Sequence, residues 1–103
     1  MDMNDIPNYR QFKVKFIAPT NHRGARVKIY EPKRFRDDNE EAITLSYDYE
    51  VGDILQQAIN WLTEDGRYNE RIIARCSEFS NYTLLVDSWG KDFKTLKQAE
   101  LKL

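Results

Sequence analysis

Chemically versatile residues are scarce in this sequence. It has one cysteine, Cys76, and one histidine, His22. A single cysteine excludes an intrachain disulfide and fits a reducing compartment. The two residues fall in different elements, so spacing gives no support to a Cys–His nucleophilic pair. Cys76 lies in a strand pattern, where a buried, inert thiol is the usual outcome. With four glycines in the chain, a phosphate-cradling loop is hard to build, and neither zinc spacing nor a nucleophile elbow is present. No apolar run approaches the roughly 18 residues of a membrane span. The start, Met1-Asp2-Met3-Asn4-Asp5, is acidic and polar, unlike a signal peptide. The expectation is a cytoplasmic, non-enzymatic protein with no membrane partner, no cofactor and no metal.

What is present is aromatic and charged. At 103 residues the chain has room for one core, and 13% aromatic residues supply bulky material for it. Charged residues make up 32%, yet the net charge is −1, which argues against a protein that coats DNA wholesale. The distribution says more than the sum. Residues 9–34 hold eight Lys/Arg and one Glu, whereas residues 35–66 hold one Arg and nine Asp/Glu. The chain is dipolar along its length.

Periodicity assigns the elements. Residues 1–10 read as a polar lead-in, followed by a single domain over 11–103. Phe12, Val14 and Phe16 alternate with Lys13 and Lys15, the period of a half-buried strand. The alternation resumes with Val27 and Ile29 against Arg26, Lys28 and Tyr30. Between them, Pro19-Thr20-Asn21-His22-Arg23-Gly24 has turn composition, with Asn and Gly able to take positive φ. Residues 31–40 read as a solvated loop of mixed charge. A third strand is expected over 41–47, with Ile43 and Leu45 inward. Then the period lengthens: Val51, Ile54, Leu55, Ala58, Ile59 and Leu62 form one apolar stripe of a helix, with Trp61 at its border. Asp48, Glu50 and Asp53 surround its start, where the helix dipole favours carboxylates, and Gly66 is placed to end it. Strands are expected over 71–78 and 82–89, the second apolar on both sides and therefore central. Thr95-Leu96-Lys97-Gln98 has the form of a capping box opening a short helix that buries Leu96, Ala99 and Leu103. The expected fold is α+β: an antiparallel sheet of about five strands in the order βββαββ, the main helix on one face and a short C-terminal helix.

The hairpin offers the candidate site. Lys13, Lys15, Arg26 and Lys28 can share its wet face with Tyr30, while Asn21, His22 and Arg23 cap its end. Cations neutralise phosphates and an aromatic ring gives a base a stacking surface. The competing reading is that a wet sheet face carries lysines in any case, partly to discourage edge pairing. The acidic residues Asp48, Glu50 and Asp53 match no calcium loop. Trp89 fits either core packing or a protein interface.

The segment Phe16-Ile17-Ala18-Pro19-Thr20-Asn21-His22-Arg23-Gly24-Ala25-Arg26-Val27-Lys28 resembles one found in small uncharacterised proteins of bacteriophages and mobile elements, which carry a Pro/Ala-Thr-Asn-x-Arg-Gly-Ser-Arg-x-Lys pattern after a first strand. Those proteins often have a Tyr-Asp-Tyr-like stretch before a helix, similar to Tyr47-Asp48-Tyr49. Ala25 stands here where serine is usual, and the 31–40 loop is longer. The resemblance implies a phage or plasmid setting and no reaction. It directs attention to Thr20, Asn21, Arg23, Gly24, Arg26 and Lys28. Two partners remain open: nucleic acid at the basic hairpin, or a host protein, whether enzyme or defence complex, that the chain inhibits. Monomer and homodimer are equally open.

Overall fold

The computed structural model describes residues 1–33 and 41–101. Five strands, β1 (Arg10–Ile17), β2 (Arg26–Glu31), β3 (Glu41–Ser46), β4 (Ile72–Ser77) and β5 (Asn81–Val86), form one antiparallel sheet in the spatial order β3-β2-β1-β5-β4. Helix α1 (Ile54–Thr63) connects β3 to β4, and α2 (Leu96–Leu101) follows β5. This is the α+β class that the periodicities imply. The first strand of the chain lies at the centre of the sheet, and β5 is interior beside it.

Alternation decides which face is dry. Phe12 and Val14 of β1, Val27 and Ile29 of β2, Ile43 of β3, and Leu84 and Val86 of β5 are buried on one face. Leu55, Ala58 and Leu62 of α1 cover them, together with Leu96 and Ala99 of α2. Both helices therefore lie on the same side of the sheet, and the alternate residues are left on the other side.

The helix begins later than its apolar stripe. Val51 stays outside because the Asp48 carboxylate accepts from the N–H groups of Glu50 (2.9 Å) and Val51 (3.4 Å), closing a turn. Asp53 then caps α1, accepting from the N–H groups of Leu55 (2.8 Å) and Gln56 (3.2 Å). Such side-chain acceptors satisfy donors that the first helical turn leaves unpaired. The α-helix ends at Thr63, and a tight turn over Glu64–Gly66 carries Asp65 and Gly66 at φ of 54° and 71°. Gly66 is thus left-handed as expected, one turn beyond the helix proper. At α2 the capping box is complete: Gln98 N–H donates to the Thr95 hydroxyl (3.1 Å), and Thr95 N–H donates to the Gln98 side chain (2.9 Å). Leu103 lies outside the described residues.

Three expectations need correction. Cys76 is exposed, not buried. It pairs with Thr83, which pairs with Lys13, so it stands on the face away from the helices. The strand itself is an edge, exposed from Ile73 onward, with a bulge between Ile72 and Ala74. The second correction concerns Arg10 and Glu31, read above as lead-in and loop. Arg10 is 1% exposed and Glu31 4%. Nε and Nη2 of Arg10 donate to the two carboxylate oxygens of Glu31, each at 2.9 Å. Nη1 reaches the carbonyl of Ser88 (3.2 Å), and Nη2 that of Lys94 (3.0 Å). The guanidinium carbon lies 4.4 Å from the centroid of the Phe93 ring. Tyr68, buried beside it, also donates to the Lys94 carbonyl, at 2.9 Å. Burial pushes the Tyr68 phenol up to about 12, against the opposing influence of the Arg10 charge. Third, neither Asn21 nor Gly24 takes positive φ among the described residues. The turn is built instead around Thr20, as the next subsection describes. The loop expectation for residues 34–40 falls outside the described residues.

Candidate functional site

Register places the hairpin cations. Lys15 stands opposite Lys28, Lys13 opposite Tyr30, and Ile17 opposite Arg26. Directly opposed residues of an antiparallel pair share a face. Lys13, Lys15, Arg26, Lys28 and Tyr30 are therefore on one face, the one that neither helix covers. Thr44 and Ser46 of β3 extend it beside Lys28 and Arg26, and Asn81 and Thr83 of β5 extend it beside Lys15 and Lys13. The five are all half-buried.

Tyr30 organises the charges. The ammonium of Lys28 is 4.8 Å from its ring centroid and that of Lys15 is 5.5 Å away. Two cations thus flank one aromatic ring, each attracted to its electron-rich face. Lys13 donates to the Thr83 hydroxyl at 3.4 Å and sits 3.8 Å from the Glu78 carboxylate, an exposed pair of the kind that contributes little. Arg26 has a buried Nε with no hydrogen-bond partner. Asp48 and Asp53 each accept from backbone N–H groups, just ahead of α1 and at its N-cap.

Asn21, His22 and Arg23 do not join the sheet face by register. They lie exposed in the connection between β1 and β2. The Thr20 hydroxyl accepts from the N–H groups of His22 (3.3 Å) and Arg23 (3.1 Å), and Thr20 N–H donates to the Arg23 carbonyl (2.8 Å). The turn uses only the backbone of His22 and Arg23, and their side chains are exposed.

A second feature went unread in the sequence. At the end of the hairpin, on the helix side, Phe16, Pro19, Tyr47, Tyr49 and Tyr82 line a cleft of about 600 Å³ that Asp53 borders. Tyr47 meets Phe16 and Tyr49 edge-on, with centroids 5.6 and 4.8 Å apart. Phe16 is 46% exposed and Tyr49 77%. Alternation correctly puts Phe16 on the apolar face. It carries no sign that the helix would start too late to cover it. Among the described residues there is no group of three His, Cys, Asp or Glu side chains able to hold a metal, and no helix is long and apolar enough to cross a membrane. No protein-family model, curated protein or solved structure matches the chain.

Proposed function

We propose that this domain acts by binding and not by catalysis, and that its ligand is nucleic acid held on the basic face of the β1–β2 hairpin, in an accessory protein of a phage or plasmid. The observation that supports the reading is the convergence of Lys13, Lys15, Arg26 and Lys28 around Tyr30 on the sheet face opposite α1 and α2. Lysines and arginines on such a face displace the counterions of a phosphate backbone, and an aromatic ring among them offers a base a stacking surface. Arg23, at the end of the hairpin, extends the cationic track, with Asn21 and His22 beside it as polar contacts.

Binding then falls steeply with salt. In fluorescence anisotropy with labelled single- and double-stranded DNA and RNA, Lys13→Ala and Lys15→Ala each reduce the salt slope by about 1 and weaken binding uniformly across sequences. Arg23→Ala with Arg26→Ala has the same sign of effect. If none of the four nucleic acids shows a salt-sensitive shift at low ionic strength, the reading is discarded.

The aromatic cleft favours a second reading, a protein ligand such as a host enzyme or defence complex. Tyrosine-lined grooves suit extended peptide segments, and the carboxylate of Asp53 at the border disfavours a phosphate there. A stoichiometric partner recovered from host lysate, lost with Tyr49→Ala and indifferent to Lys15→Ala, would decide for it.

A further inference from the structure

The two edges of the sheet are treated differently. β3 has α2 against it, whereas among the described residues β4 packs substantially on β5 alone. Along β4 everything from Ile73 to Ser77 is exposed. Two large apolar residues are bare here, Ile73 (47%) in the strand and Phe79 (106%) in the turn that follows it. An uncovered edge presents unpaired backbone N–H and C=O groups, which template pairing with another strand. Beyond the bulge the pairing to β5 is regular, Ala74 with Leu85, Arg75 with Leu84, Cys76 with Thr83 and Ser77 with Tyr82, so this stretch keeps a strand's alternation of outward backbone groups.

We propose that the neighbour is β4 of a second copy of this chain, antiparallel and centred on Cys76, joining two five-stranded sheets into one continuous sheet. The strand is complementary to itself in that register. A two-fold axis at Cys76 sets Ile73 opposite Phe79 of the other copy, Ala74 opposite Glu78 and Arg75 opposite Ser77. The two bare hydrophobic positions meet, and no like charges are directly opposed. A two-fold centred on Arg75 would set two guanidinium groups against each other, a destabilising cross-strand pair. A two-fold centred on Ser77 would set Arg75 against Phe79 and leave Ile73 unpaired. A two-fold through an antiparallel strand pair is perpendicular to the sheet, so each copy keeps its faces. The two lysine faces then lie on the same side of the joined sheet. A contact of this length is small for a stable complex, so the dimer forms and dissociates with concentration.

Sedimentation velocity over a concentration series tests this independently of nucleic acid. The wild type shifts from monomer to dimer as concentration rises. Ile73→Lys and Phe79→Lys each hold it monomeric at every concentration while leaving the circular dichroism spectrum unchanged, since both side chains are exposed. Cys76→Ser still dimerises, because the association needs no covalent bond. Opposed strand residues lie about 4.5–5.5 Å apart, within reach of an S–S bond. Diamide, accepting two electrons and two protons from the paired thiols, therefore crosslinks the wild type through Cys76. A chain that remains monomeric at its highest soluble concentration overturns the proposal. So does a dimer indifferent to both lysine substitutions, or one that diamide fails to crosslink.

Discussion

Tyr68 is the residue whose chemistry the fold alters most plainly. Its phenol is buried against Phe12, ring centroids 5.0 Å apart, and donates to the Lys94 carbonyl. Burial disfavours the phenolate, so the folded protein holds the proton up to about pH 12, whereas an unfolded tyrosine releases it near 10.0. The contribution is complete below pH 10. It is lost as the pH rises toward 12, because the unfolded state then binds fewer protons than the native state. The difference amounts to about 2 to 3 kcal/mol. Urea unfolding across this alkaline range should show a stability decline in the wild type that is shallower in Tyr68→Phe. An equal decline in both would assign it to other groups. Cys76 illustrates the opposite relation between pattern and place. Its alternation with neighbours was legible, but alternation says that a residue has a face and not what covers that face. Cys76 lies on an edge that the helices do not reach.

At the scale of the element, local chemistry settles boundaries that periodicity leaves open. The apolar stripe starting at Val51 implies a longer helix than the chain forms, because Asp53 captures the N–H groups of Leu55 and Gln56 and fixes the first turn there. Asp53→Ala should cost about 1 kcal/mol, read as a lower urea midpoint with unchanged slope. A cost near zero would mean that the dipole and the Gln57 side chain, which bridges Asp48 N–H and the Ser46 carbonyl, suffice to start the helix. The strands and both helices were legible because each has one dominant period and caps of recognisable chemistry. Thr95 and Gln98 bond each other's backbone as their spacing implies. Strand order was not legible, since five similar alternations fit several antiparallel arrangements. The aromatic cleft was equally hidden, being formed by residues from β1, the loop after β3, and β5.

For the molecule as a whole, Arg10 is the tie between distant parts. Its guanidinium meets Glu31 at the end of β2 and the carbonyls of Ser88 and Lys94 beyond β5, so one side chain fastens the sheet to the segment that leads into α2. Nothing in a sequence marks one arginine among many as internal. Either Arg10→Ala or Glu31→Ala leaves a buried charge without its partner and should cost about 3–5 kcal/mol. Arg10→Met with Glu31→Leu, which removes both charges, should recover most of the loss in the same urea titration. A double variant no better than the singles would mean that the carbonyl contacts, and not the ion pair, carry the effect.

The central place of β1 also has a consequence in time. Its β2 side is filled by the next strand to be synthesised, but its other side waits for β5, and the Arg10–Ser88 contact spans 78 positions. A chain emerging from the ribosome therefore carries a three-stranded meander with a naked inner flank until β5 has been translated. Such late-closing topology folds slowly and is open to misassociation meanwhile. Messages cut short before β5 should yield insoluble product, while a chain that includes β5 seals that flank from within.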